Sequence, residues 1–515
     1  MFLFLFFLPF FVFSSQDDDG FVVVHTSKGY VRGRRIIANY STATGLQEGI
    51  GFLSIPFAEP PVGRLRFRPA VPKKSWEGLL DATKHRAACI SDPVYTYKTD
   101  SGGPISEDCL HANVFTNDYC LKHKNCSVLV AIHGGGYIGE SMASFKEEII
   151  VNNFVGQGRN VVVVSFNYRL GLFGMINLGE KDGELYKTNL LVRDSIDAFK
   201  WVKSEITNFG GNWREVTAFG HSAGGALVQA LSRSNHSRGL FKRKIIMSGP
   251  ALSTNRDTNS KVSLLIAKKL DCAAPTTSFP IDSTTLRKII ECLRSKPAVE
   301  ILNVQNSASL GDSPSDWGGI IVDNELFNGY WEENVGNGNL AKPTLMGTVA
   351  AELRESNAVF EEGNFTLIPD RLHKLCEALG YLLAYKEPEI FVATCDEFYS
   401  NKDSARYITD DQTFYMQVLN SANFDSGNEK DVFVYSFTYT GVGAAFNKYN
   451  TDSERPSHSE EFIYIFGTHR GPMTDKDYEI ERIMTGTRWL RPFYYDVILR
   501  LFDGLYELRK PNSEK

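Results

Sequence analysis

The stretch Val216-Thr217-Ala218-Phe219-Gly220-His221-Ser222-Ala223-Gly224-Gly225-Ala226 constrains the fold of this chain more than any other. Its first four residues are an apolar run that predicts a buried strand, and residues 226–231 predict a helix. Between them stands a G-x-S-x-G pattern. Small residues there allow a strand to turn sharply into a helix where larger side chains would meet neighbouring backbone. The turn predicts Ser222 Oγ at the end of a sheet, beside the positive end of a helix. In a chain with 43 glycines the pattern alone says little; the strand before it and the helix after it give it weight.

A second strand-like run, residues 128–132, ends in His133-Gly134-Gly135-Gly136-Tyr137. Consecutive glycines leave backbone N–H groups approachable. Acyl transfer needs such donors, because the attacked carbonyl oxygen becomes an anion. A glycine-rich loop that merely turns is the bland alternative, and the serine turn tells against it.

Residues 160–165 and 244–248 are further short apolar runs, and residues 190–206 have helical spacing. Strands alternating with helices between about 127 and 250 predict parallel pairing with crossover helices, an α/β fold. Residues 22–25 and 30–32 flank Ser27-Lys28-Gly29 and predict an N-terminal antiparallel hairpin. Residues 54–68, rich in proline and arginine, read as an ordered surface loop. Residues 343–348 and 432–437 read as later strands of the same sheet. No repeat, low-complexity linker or long charge run marks a boundary, so residues 16–515 read as one domain.

Residues 1–15 are an apolar run ending in small residues, too short to span a bilayer comfortably. They predict a cleaved signal peptide despite lacking an N-terminal Lys or Arg. No apolar tail closes the C-terminus, so no membrane anchor is expected. Eight cysteines agree with export. They allow about a hundred connectivities; sequential pairing is the simplest, and no C-x-x-C spacing suggests a metal or redox centre. Sequons begin at Asn39, Asn125, Asn235 and Asn364. The net charge of −6 gives no basic footprint for nucleic acid.

A serine hydroxyl needs a base, and the base needs an orienting acid. In sheets with this turn the order is Ser, then Asp or Glu, then His. Four histidines follow Ser222. His236 lies in a sequon and His373 on a helical pattern; both read as surface residues. His458 lies on a loop leading into the apolar segment 462–466, with His469 as its competitor. Glu352, a few residues past the strand ending at Thr348, is the candidate acid, with Glu355 as its competitor.

These motifs together resemble the type-B carboxylesterase and cholinesterase family of α/β-hydrolases. The resemblance runs from about Phe21 to Met484. It includes residues 54–68, Glu107-Asp108-Cys109-Leu110-His111-Ala112-Asn113-Val114, 166–174 and 208–213, as well as both glycine motifs. It implies a central, mostly parallel sheet flanked by helices. Gly347-x-x-x-x-Glu352 and the segment from His458 to Phe466-Gly467 match the family's acid and histidine motifs. The implied triad is Ser222, Glu352 and His458; the implied oxyanion donors are the N–H groups of Gly135, Gly136 and Ala223. The implied disulfides are Cys89–Cys109 and Cys272–Cys292. No cofactor or metal is implied, and the partner is a small-molecule ester.

Three departures stand out. His221 occupies the position before the serine, where the family usually has Glu; its side chain is expected to point away from Oγ. Residues 90–108 contain no tryptophan, only Tyr95 and Tyr97 as aromatics, with Lys98 nearby. That favours a carboxylesterase over a cholinesterase. Residues 485–515 do not match the family's usual ending and read as a divergent tail. The expectation is a secreted serine hydrolase of carboxylic esters; the alternative is a non-catalytic adhesion or binding protein on the same fold.

Overall fold

The computed structural model describes residues 20–39, 45–91, 104–156, 158–179, 183–249, 258–307, 319–327, 341–353, 359–360, 366–382, 387–428, 430–444 and 455–485. The leader (1–15), the tail beyond Thr485, Tyr95, Tyr97, Lys98, Glu355 and Asn364 lie outside them.

Eleven strands form one sheet: β1 (Phe21–His25), β2 (Tyr30–Ala38), β3 (Gln47–Pro56), β4 (Leu79–Asp81), β5 (His111–Thr116), β6 (Cys126–Ile132), β7 (Val161–Phe166), β8 (Gly211–His221), β9 (Arg243–Met247), β10 (Thr344–Val349) and β11 (Val432–Phe437). The spatial order is β1-β2-β3-β5-β7-β6-β8-β9-β10-β11, with β4 beside β2. Along this order pairing is antiparallel from β1 to β7 and parallel from β7 to β11, and β4 lies parallel to β2. The hairpin of β1 and β2 and the parallel sheet are as the alternation of apolar runs predicts.

Continuous apolar runs mark the parallel strands because both faces of the sheet are covered. In β6, Val128, Val130 and Ile132 pack on one side with Phe199 and Leu227. Leu129 and Ala131 pack on the other with Phe219 and Phe466. Phe199 belongs to helix α1 (Leu190–Glu205) and Leu227 to helix α2 (Ala223–Arg233). Helices Thr258–Lys269, Ser283–Ser295 and Ala298–Ser307 follow and build a third apolar cluster over Phe67 and Phe173.

The expected surface loop at 54–68 is corrected in part: Val62, Gly63, Arg64 and Arg68 are exposed, but its start and the pair before Arg68 turn inward. Ser54, Ile55 and Pro56 belong to β3, and Arg66 and Phe67 are buried. Arg66 lies in the interior because it is fully engaged there. Its Nε and Nη2 donate to Glu107 at 2.7 and 2.6 Å, and its Nη1 to the carbonyls of Leu293 and Lys296 at 2.8 and 2.7 Å. A charge with that many partners can be withdrawn from water.

Sheet register positions the site. Ile132 is level with Gly220, His221 with Met247, and Met247 with Gly347. The carboxyl ends of β6, β8, β9 and β10 therefore reach one edge together, and the loops carrying the glycine run, Ser222 and Glu352 leave from it.

Candidate active site

Ser222 joins β8 to α2 with φ 54° and ψ −129°. Side-chain-bearing residues rarely adopt such a backbone, and holding it costs about 1–3 kcal/mol. The surroundings enforce it. Ser222 N–H donates to the Met247 carbonyl at 2.9 Å, and the Ser222 carbonyl accepts from Ala226 N–H at 3.0 Å. A Cβ on Gly220 would come within 2.1 Å of the Gly224 carbonyl oxygen, so that position admits only glycine.

The loop after β6 lies against this turn. A Cβ on Gly134 would stand 3.0 Å from Ser222 Cβ. Gly135 and Gly136 both have positive φ, 92° and 61°, and the Gly135 carbonyl accepts from the N–H groups of Ile138 and Gly139. The His133 ring stacks on Tyr168, with centroids 4.4 Å apart, and Tyr168 Oη donates to the His133 carbonyl at 2.9 Å. Burial pushes His133 down to about 4, so this clamp stays uncharged.

Beyond β10 the chain turns at Glu352, which is buried. Glu352 Oε1 accepts the Val349 N–H at 3.0 Å, and its carbonyl accepts the His458 N–H at 2.9 Å. Its Oε2 is 2.7 Å from His458 Nδ1, and His458 Nε2 is 2.9 Å from Ser222 Oγ. Three side chains from three loops thus form one continuous hydrogen-bonded relay. Burial pushes the His458 imidazole down, but its hydrogen bond to Glu352 and the charge of that carboxylate outweigh burial and hold it above the usual histidine range.

The other histidines lie elsewhere. His236 is exposed, with Nε2 3.2 Å from the Glu325 carbonyl oxygen. His373 is exposed and pairs with Asp396 at 2.6 Å. His469 Nε2 is 3.8 Å from Glu140. His221, the residue before the serine, is buried and has no hydrogen bond to the relay. It is stacked on Phe462 with centroids 4.5 Å apart and on His458 at 5.0 Å.

Several neighbours escaped the sequence reading. Ser248 Oγ donates to Glu461 Oε1 at 2.6 Å, and Asp410 accepts the Leu353 N–H at 2.9 Å. Burial, then the charge of Glu352, raises Asp410 to about 6. Phe414 packs on His458 with centroids 5.3 Å apart. The glutamate three residues after His458 was the one available signal; the rest are brought in by distant elements.

Four disulfides are present: Cys89–Cys109, Cys120–Cys126, Cys272–Cys292 and Cys376–Cys395. Asn39, Asn125 and Asn235 are exposed. Among the described residues no cluster of three or more His, Cys, Asp or Glu is placed to hold a metal ion, and no helix is long and apolar enough to cross a membrane.

Known proteins resemble this chain in sequence and in structure. The chain is 33% identical over 294 residues to carboxylesterase 1C of Rattus norvegicus, covering 55% of this chain and 50% of that protein. It is 36% identical over 266 residues to cocaine esterase of Homo sapiens, covering 49% and 44%. The chain thus spans about half the length of these two curated relatives. The crystal structure of juvenile hormone esterase from Manduca sexta, with OTFP covalently attached, superposes with a TM-score of 0.73 at 25% identity, covering 91% of this chain and 90% of that one. The fold is that of the α/β-hydrolases. The sequence model of the carboxylesterase family matches residues 21–490, and the chain belongs to that family, closer to its carboxylesterases than to its cholinesterases.

Proposed function

We propose that this protein is a secreted serine hydrolase that cleaves carboxylic esters through an acyl-enzyme on Ser222. The observation that carries the reading is the relay from Glu352 Oε2 through His458 to Ser222 Oγ, with steps of 2.7 and 2.9 Å. Both steps lie within hydrogen-bond reach, as proton transfer requires.

Ser222 Oγ attacks the ester carbonyl carbon while its proton passes to His458 Nε2. Glu352 holds the proton on Nδ1 and stabilises the imidazolium that forms. The carbonyl oxygen, now an anion, is bound by the N–H groups of Gly135, Gly136 and Ala223. His458 returns its proton to the departing alkoxide as the ester C–O bond breaks. Water then attacks the acyl-serine with the same histidine as base, which releases the acid and restores Ser222. A small neutral ester needs no cofactor for these steps.

Export is supported by the apolar leader at 1–15, the four disulfides and the three exposed sequons. Residues 16–515 would then be the mature single-domain enzyme.

Incubation with a fluorophosphonate probe tests the reading. The wild type should label on Ser222 and hydrolyse a simple ester, and Ser222→Ala should do neither while unfolding like the wild type. A folded wild type that neither labels nor turns over would instead make the chain a non-catalytic binding protein on this fold.

A further inference from the structure

Behind the His458 ring lies a pocket of buried polar groups that the relay does not use. His221, at the end of β8, is stacked between His458 and Phe462, with interplanar angles of 30° and 15°. Its Nε2 is buried without a hydrogen-bond partner and is 4.0 Å from Glu461 Oε1. Glu461 is itself wholly buried. Its Oε1 accepts from Ser248, and its Oε2 is the second orphaned atom of the pocket. At 4.0 Å the two groups share no hydrogen bond, so a neutral imidazole beside a protonated carboxyl is the state that leaves the pair with no net charge and no buried ion uncompensated.

We propose that His221 is a positioning residue for His458: stacking fixes the plane of the imidazole, and the pairing with Glu461 keeps the space behind it electrically neutral. This rests on the relay reading given above. Neutrality there matters because His458 becomes a cation once it has taken the serine proton. A net negative charge behind the ring would hold that proton too tightly and raise the pH needed for activity. A net positive charge would oppose the transfer.

The groups facing the pocket are few. Glu352 approaches from the loop after β10, and Asp410 from the short helix Ile408–Asp410 behind it. Glu461 and Ser248 lie beside His221, the buried Tyr435 phenol faces Glu461 and Glu352 from β11, and His469, with Glu140 at 3.8 Å, is a further titratable neighbour. Burial, then His458 and His469, pushes His221 well below the usual histidine range. Burial, then the charge of Glu352, raises Glu461 to about 8. Both directions favour uncharged forms at neutral pH and agree with one proton on the pair.

The test is the acidic limb of the kcat/KM–pH profile, measured on enzyme that labels fully with fluorophosphonate. His221→Glu replaces the neutral pair with two carboxyl groups sharing one proton, a net charge of −1 about 5 Å from the base. The limb should move to higher pH by roughly one to two units. His221→Gln and Glu461→Gln keep the pocket neutral, and each should leave the limb within about 0.3 units while lowering kcat severalfold through poorer packing. Glu461→Gln is nearly isosteric and tests the neutrality even if His221→Glu does not fold. A limb displaced downward by a unit or more in Glu461→Gln would show that Glu461 carries a charge and would overturn the proposal. An unmoved limb in folded, labelled His221→Glu would do the same. A wild type that does not label refutes the relay itself, and this proposal with it.

Discussion

Glu352→Gln is the substitution whose effect the geometry fixes most closely. The side chain keeps its shape, so the question is which way the amide faces. Val349 N–H donates to one carboxylate oxygen at 3.0 Å, and His458 Nδ1 lies 2.7 Å from the other. If the amide nitrogen turned toward Val349, two buried donors would face each other, at a cost of about 1–3 kcal/mol. The amide oxygen therefore stays on Val349, and the NH₂ group is presented to His458 Nδ1. Nδ1 must then be the acceptor, which moves the ring proton to Nε2, where it faces Ser222 Oγ and blocks its deprotonation. The minority orientation that keeps the correct tautomer also lacks the carboxylate that stabilises the imidazolium, a charged hydrogen bond worth about 1.5–3 kcal/mol. The two effects together amount to about 2.5–6 kcal/mol, or a loss of about 10²–10⁴-fold in kcat. Glu352→Asp keeps the charge at the cost of reach and should lose at least tenfold less. Initial rates on a chromogenic acetate ester, normalised to folded enzyme by thermal unfolding, give both numbers. A Glu352→Gln enzyme within about tenfold of the wild type would refute the argument.

Activity should fall as pH drops through the raised value of His458, because only the neutral imidazole accepts the serine proton. His458→Gln should abolish that activity and His469→Gln should leave it; an essential His469 would mean that the wrong loop supplies the base. Arg66→Met strands the largely sheltered Glu107 carboxylate and should cost about 3–5 kcal/mol in urea unfolding; a loss below about 1 kcal/mol would show the pair to be solvated. Choline esters should be poorer substrates than neutral esters of the same acyl group. A desolvated tryptophan face is worth about 2 kcal/mol to a quaternary ammonium, roughly thirtyfold. Residues 90–108 supply no tryptophan, and among the described residues Trp76, Trp201 and Trp213 are engaged with Tyr30, Phe209 and Arg214. A clear preference for the choline ester in kcat/KM would mean that a cation-binding face exists elsewhere.

The parallel half of the sheet was legible because its strands are buried on both faces and read as unbroken runs such as Val161-Val162-Val163-Val164. The serine turn was legible because its geometry tolerates so few residue types. The contact of Glu352 with His458 was to be expected only from chain order and family resemblance: 106 residues separate them, and nothing local in either loop requires it. Arg66 was misread because its hydrophilic composition points to solvent, whereas its partners lie 41 and 227 residues away. The Ser248–Glu461 contact was missed for the same reason, although Glu461 itself stands in a recognisable position three residues after His458. A buried polar pair is stable through its partner, and partners at a separation of 213 residues leave no pattern in the sequence.

The backbone at Ser222 has a consequence for when this chain becomes reactive. A conformation that costs free energy locally persists only while its surroundings impose it. Here those surroundings are the Met247 carbonyl on β9, the glycines of the turn and the start of α2, with Gly134 on the loop after β6 pressed close by. Until the central strands have docked, residue 222 is an ordinary serine with an ordinary hydroxyl. On the proposed mechanism, reactivity should therefore come late in folding and be lost early in unfolding. Under mild denaturant, the rate of fluorophosphonate labelling should decline before the far-ultraviolet circular dichroism signal of the sheet does.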